Sequence, residues 1–385
     1  MNYLADRYAD FIVHSMLRLE EGEKLTVHAN SETVEFAHRV AHEAAESTGV
    51  SAALVYIENG KVESVDEIDP SYSAGDARGN VMLNLASFTP SVYRSDDELD
   101  AVHLQMHRLL ADPVFLDRRI GIPYAVAYVP TASWAEFVYG SGATTDQLYL
   151  DLADYLGIED GDASARTQAR VLELRCRELN ELDIRSVELE IGRTRLSARL
   201  AEGARIGSSA VRLPGGRTFY PTFPAEDIIF PLDYRHADGT IVSSYPFRFF
   251  DRVIQGAEIT VKDGRITSFS CDAPQLAQAY VNIDTMAGMA GELVLCDSMT
   301  PSSRFDLAFG IPLLDRMRTS CMVFGGVSPE LVTLENEAQL DACGLNTSFA
   351  RLEVPFGGRD LNVSALTGDG RRVQIYKDGL FSLGI

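Results

Sequence analysis

The chain has 385 residues, 46% hydrophobic and 23% charged, the composition of a globular protein large enough for two cores. Its 34 basic and 56 acidic residues give a net charge of −22. That argues against nucleic acid, whose phosphates are held by Lys and Arg, and against an anionic membrane surface.

At the start, "MNYLADRYADFIVHSML" has no basic leader and no cleavable apolar core, and no apolar run in the chain is long enough to span a bilayer. A cytoplasmic protein without a membrane partner is expected. Tyr3, Leu4, Tyr8, Phe11, Ile12 and Met16 recur at helical spacing and predict an amphipathic helix over 3–20. "KLTVHA" (24–29) reads as a strand, and Ser31 as the N-cap of the Ala-rich helix that follows. "SAALVYI" (51–57), "GNVMLNLAS" (79–87), a helix around 95–110 and "YAVAYVP" (124–130) continue the alternation. Such alternation predicts a largely parallel sheet with covering helices. Two helices, 145–156 and 164–181, close an α/β domain over 1–181.

From Leu182 the period falls to two. Val187, Leu189 and Ile191, then Leu196, Ala198 and Leu200, alternate with polar residues. Asp263-Gly264, Asp369-Gly370 and Asp378-Gly379 are hairpin signals. Only 274–288 and 310–317 read as helices. The second domain, 182–385, is therefore expected to be antiparallel, β-rich and α+β in class.

The five cysteines form no CxxC pair and read as reduced thiols. His14, His28, His38, His42, His103 and His107 lie in the first third, and His236 alone follows, which excludes a His-rich metal site in the second half. His38 and His42 are one helical turn apart, but no Glu follows the first, so they read as solvated rather than as a zincin pair. No P-loop or dinucleotide fingerprint is present, and "GSSAV" (207–211) is not a nucleophile elbow.

What the second half does offer is acidic residues in apolar or turn-rich segments. They are Asp227 in "TFPAEDIIFPLD", Glu292 in "AGELVL" and Glu353 in "NTSFARLEV". Carboxylates in such places need a partner or a metal. Arg351, two residues before Glu353, shares its strand face. Cys321 is a nucleophile candidate if a base lowers its pKa, though a buried thiol is the plainer reading. Tyr220, Phe223, Tyr245, Phe247 and Phe249 would line a pocket or pack a core.

In this order, the segments resemble the thermophilic aminopeptidases, the aminopeptidase T and aminopeptidase S group of dimeric metallopeptidases. "YADFIVHSMLRLEEGEKLTVHANSETVEFAHRVAHEA" is similar to that family's opening, and "VAYVPTASWAEFVYG" to its "Y-P-T-x-x-W-A" segment. "PTFPAEDIIFPLD", "IQGAEITVKDGRITSFSCD", "AGELVLCD", "TSCMVFGG", "NTSFARLEV" and "VQIYKDG" follow in family order. The resemblance covers nearly the whole chain and implies the family fold, a homodimer, and two divalent metals held by two Glu, two His and one Asp. By position, the first Glu falls on Asp227, with Glu226 beside it, and the second on Glu292. The first His falls on Cys321. The second His and the Asp, from "N-x-S-x-x-H-x-D", fall on Arg351 and Glu353, and a family tyrosine falls on Ser328.

An arginine has no lone pair to offer a metal and stays protonated. The expectation is therefore a divergent aminopeptidase-like enzyme without a cofactor, acting on a peptide- or amino-acid-like small molecule. Asp227, Glu292, Cys321, Arg351 and Glu353 are its catalytic candidates, and Arg351, His236 and Tyr245 its substrate-binding candidates. The alternatives are a silent homologue serving as a binding protein, and a metal-dependent aminopeptidase using Asp227, Glu292 and Glu353.

Overall fold

The computed structural model describes residues 2–58, 61–67, 80–88, 123–213, 216–249, 252–328, 331, 337–348 and 350–382. They fall into two units: the first spans 1–90, 107–169 and 209–225, and the second 170–208 and 226–385, as far as these are described. The division passes within the helix Gly161–Glu181, just before the boundary expected near Leu182. Residues 209–225 belong with the first unit. Phe219 packs on Met82, Tyr124 and Val126, and the Tyr220 N–H donates to the Met16 carbonyl.

In the first unit, α1 (Asn2–Phe11) continues into a π-helical turn, Ile12–Leu17, and stops at Arg18, whose φ of 52° is left-handed. The helix expected over 3–20 is therefore shorter. Of its apolar stripe, Tyr8, Phe11, Ile12 and Met16 are buried as the spacing predicts, Leu4 is half-buried and Tyr3 is exposed. β1 (Lys24–Ala29) is buried at every position but the first, as a strand covered on both faces must be. α2 (Val34–Thr48) follows and ends at Gly49 with φ 70°. Ser31 does not cap it. The Asn30 carboxamide oxygen instead accepts the Glu32 and Thr33 N–H groups, forming a turn that leaves Ser31 exposed.

β2 (Ser51–Glu58), β3 (Lys61–Glu67), β4 (Asn80–Ala86) and β5 (Tyr124–Tyr128) complete the first sheet, in the order β3-β2-β1-β4-β5. All its pairings are parallel except β2 with β3. Helices Ala132–Tyr139 and Thr145–Leu156 follow. The helix expected around 95–110 lies outside the described residues.

The second unit is antiparallel. β6 (Ile184–Ile191) and β7 (Thr194–Leu200) form the first hairpin, and β8 (Gly207–Ser208) follows. β9 (Val211–Arg212) and β10 (Thr218–Phe219) pair as a ribbon of the first unit. β11 (Asp227–Val242) is the long strand, and β12 (Phe247–Phe249) pairs with β13 (Arg252–Ile254). β14 (Glu258–Lys262) and β15 (Arg265–Ser270) meet at Asp263-Gly264. Both turn residues have positive φ, 48° and 75°, and a Cβ on Gly264 would lie 1.6 Å from the Tyr234 carbonyl oxygen, so only glycine fits.

β16 (Ala290–Cys296), β17 (Cys321–Gly325), β18 (Arg351–Pro355), β19 (Asn362–Thr367), β20 (Arg372–Lys377) and β21 (Leu380–Phe381) complete the unit. Among the described residues they join β6, β7, β8, β11, β14 and β15 in a twelve-stranded sheet, ordered β18-β17-β16-β11-β7-β6-β19-β20-β21 along its main path. No described helix is long and apolar enough to cross a membrane.

Candidate functional site

Strand register assembles the site. Pairing places Pro231 (β11), Glu292 (β16), Val323 (β17) and Glu353 (β18) in one row across the sheet. The next row holds Ile229, Val294, Cys321 and Pro355, and beyond it Asp227 faces Cys296. Side chains two residues apart share a face. Glu292, Glu353, Arg351 and Asp227 therefore border one apolar patch of Ile229, Val294, Cys296, Cys321 and Val323.

Glu292 and Glu353 are two strands apart, roughly 10 Å, too far for direct contact. Arg351, opposite Gly325 in the register, closes that gap. Its Nε donates to Glu353 Oε1 at 2.8 Å, its Nη2 to Glu292 Oε2 at 2.8 Å and its Nη1 to the Gly326 carbonyl at 3.1 Å. A second arginine performs the same service further along. Arg316, in the 3-10 turn Arg316–Arg318 before β17, donates to Glu353 Oε1 at 3.1 Å and lies 3.2 Å from Asp227 Oδ2. The result is an unbroken series, Asp227–Arg316–Glu353–Arg351–Glu292. Three carboxylates alternate with two guanidinium groups, and one negative charge is in excess.

Burial makes these pairs consequential. The Asp227 and Glu292 side chains are 0% exposed, Arg316 and Glu353 8%, and Arg351, the most open member, 23%. Burial pulls both guanidinium pKa values down, but the flanking carboxylates outweigh it and both end up raised. Burial likewise raises the Glu353 pKa, and Arg316 and Arg351 outweigh it, so Glu353 is held below the usual carboxylate range. Glu292 is also fixed by Ser328, whose N–H bonds Oε1 and whose hydroxyl donates to Oε2 at 3.2 Å. Glu353 Oε2 is buried without a hydrogen-bond partner. An unanswered buried acceptor in a negatively charged series is a place for a donor.

Of the sequence candidates, the structure joins Asp227, Glu292, Arg351 and Glu353. Asp227 enters the series through Arg316, and Glu226 beside it accepts the Ser302 N–H at 3.3 Å. Cys321 lies within the apolar patch, and burial first, then Glu353, push its thiol pKa well up, which keeps it an un-ionised core residue. His236 is nine residues beyond Asp227 on β11, roughly 30 Å at a strand's rise, and sits by Asp233 at 3.8 Å. Tyr245 stacks under Arg318 at 5.6 Å and is exposed. Neither His236 nor Tyr245 bonds a member of the series. A cleft of about 450 Å³ in this unit lies over β6, β7, β19 and β20, lined by Glu188, Glu190, Arg195, Asp238 and Arg372, and not over the series.

Sequence reading missed Arg316. It lies in "RMRTS", outside any strand, and nothing in its spacing points at Asp227 or Glu353. The only hint was the charge balance, since three buried carboxylates need more than one cation.

As metal donors these residues fit poorly. Each carboxylate is engaged by a guanidinium, Arg351 and Arg316 present N–H groups only, and Cys321 is an un-ionised thiol. The arrangement seen does not fit a divalent pair. A different set of metal-type donors converges among the described residues: Asp10, His14 and Glu43, all within 4.8 Å of one another.

The sequence profile of the family described as thermophilic metalloprotease (M29) matches residues 2–381. Aminopeptidase 2 of Geobacillus stearothermophilus is 24% identical over 410 residues, covering 97% of this chain and 96% of that protein. Aminopeptidase PepS of Streptococcus thermophilus is 22% identical over 97% of both chains. In structure, wild-type AmpT from Thermus thermophilus superposes with a TM-score of 0.82 at 18% identity, over 99% of this chain and 100% of that one. The structural match shows the fold. The family match corrects the expectation that no cofactor is used, because metalloproteases act through divalent metals.

Proposed function

The chain belongs to the thermophilic metalloprotease family M29, and on that premise we propose that it is an aminopeptidase-like hydrolase whose site is the Asp227–Arg316–Glu353–Arg351–Glu292 series. The substrate in this reading is a peptide- or amino-acid-like molecule with a free α-ammonium group. One observation carries it: Glu353 Oε2 is a buried acceptor without a partner, in a series with one carboxylate in excess. An ammonium group supplies the missing donor and the missing charge together. Arg351, the most open member, then faces the substrate's carbonyl or carboxylate oxygen, and Glu353 holds or moves the proton. When bound, a divalent metal supplies Lewis acidity and an activated water to this family's chemistry. Because the series does not fit that metal as it stands, no step here runs through it.

A cytoplasmic homodimer belongs to the same reading, supported by the family resemblance and by five cysteines that are all free thiols. The test is release of the N-terminal residue from short peptides, with zinc, cobalt or manganese supplied, in wild type and Glu353→Gln. Cleavage of free peptides but not of their N-acetylated forms, with kcat/KM lower by about 100-fold in Glu353→Gln, is expected. Equal cleavage by the variant, or of acetylated peptides, refutes the assignment. The mutual closure of all five side chains favours a second reading, a homologue that binds peptides without turnover. Calorimetric peptide binding with no product would select it.

A further inference from the structure

We infer that Asp10, His14 and Glu43, on the first unit, form a binding site for a zinc-type divalent cation, separate from the series on the second unit. Asp10 lies in the last turn of α1, and His14, one turn on, in the π-helical turn. Glu43 comes from α2, which packs beside them. Two carboxylates from two helices thus converge on one imidazole nitrogen. His14 Nε2 is 3.4 Å from Glu43 Oε1 and 3.8 Å from Asp10 Oδ1.

Those distances leave room for an ion between the groups. A single N–H on Nε2 aims at one acceptor, and a charge-assisted bond closes to roughly 2.7–2.9 Å. Both carboxylates here stand further off. Ligands about one tetrahedral ion, with Zn–N and Zn–O distances near 2.0–2.2 Å, are instead separated by roughly 3.3–3.6 Å. The His14–Glu43 separation of 3.4 Å matches that edge length, and the His14–Asp10 separation of 3.8 Å lies just beyond it.

Arg7 Nη1 takes the other oxygen of Asp10, Oδ2, at 3.4 Å, which orients the carboxylate and leaves Oδ1 to the site. The three side chains are 39%, 38% and 30% exposed, so water can complete the coordination shell. His14 also lines a cleft of about 300 Å³ with Arg18, Leu19, Glu20, Arg166 and Arg217. Three protein ligands with an open position describe an exchangeable site rather than a closed structural one.

The full chain, stripped with a chelator, is titrated with Zn²⁺ by calorimetry and with Co²⁺ by visible absorption. Wild type is expected to take up one equivalent more than His14→Gln and Glu43→Gln, with loss of the matching Co²⁺ bands, while Glu353→Gln keeps that equivalent. Circular dichroism checks folding, and Glu43→Gln decides alone if His14→Gln does not fold. Identical stoichiometry and affinity in wild type and a folded variant overturn the site. The readout is metal uptake, so failure of the peptidase reading leaves it unaffected.

Discussion

Replacing Arg351 with Met keeps an apolar stem of similar length and removes only the guanidinium. Three hydrogen bonds go with it, two of them to carboxylates, at 2.8 Å to Glu353 and 2.8 Å to Glu292. Glu292 is 0% exposed and would be left with Ser328 alone. Removing one partner of a buried pair costs about 3–5 kcal/mol, because the other charge stays buried without its counterion. Ser328 on Glu292 and Arg316 on Glu353 soften the loss, so about 3 kcal/mol is expected. Adding Glu292→Gln should then recover much of it, since the amide carries no charge to bury, with a coupling of about 2 kcal/mol in the double-mutant cycle. The assay is urea unfolding near neutral pH followed by circular dichroism, comparing the midpoint and slope of the transition in the four proteins. A single variant within about 0.5 kcal/mol of wild type, or strictly additive changes, would show that the series is not energetically linked.

The pH dependence should show two separable components. Glu353 has its folded pKa held below 4.5, so its contribution is complete above 4.5 and is lost as the pH falls through the depressed folded value. Acid unfolding of Glu353→Gln should therefore have a shallower limb below pH 4.5, and an unchanged limb contradicts the ion-pair assignment. His28 behaves oppositely in charge type but not in direction: burial lowers its pKa from 6.5 to about 4, and its Nδ1 is buried without a partner. Between pH 6.5 and 4 the unfolded chain takes the proton first, which removes about 3 kcal/mol of stability. His28→Leu should flatten stability across that window, and superimposable stability–pH curves for the two proteins would contradict it.

The two arginines show what tertiary structure adds. Arg351 was visible from its spacing to Glu353, and the strand pairing confirms the shared face. Arg316 was not visible, because a 3-10 turn delivers it across two strands to residues 89 and 37 positions away. Likewise, "HRVAH" drew attention to His38 and His42, which are exposed, while His14 meets Glu43 only because α1 and α2 pack side by side.

By itself, the sequence determined what depends on near neighbours along the chain. The 3.6-residue and two-residue periods set the helices and strands, the Asp-Gly pairs set three hairpins, and the ordered segments pointed to the family. Only the tertiary structure decided which charges meet. That depends on strand register and helix packing, where a shift of one residue turns a side chain to the opposite face of the sheet. Asp227 therefore pairs with Arg316, Glu226 beside it accepts the Ser302 N–H, and Glu353 keeps one buried oxygen unanswered.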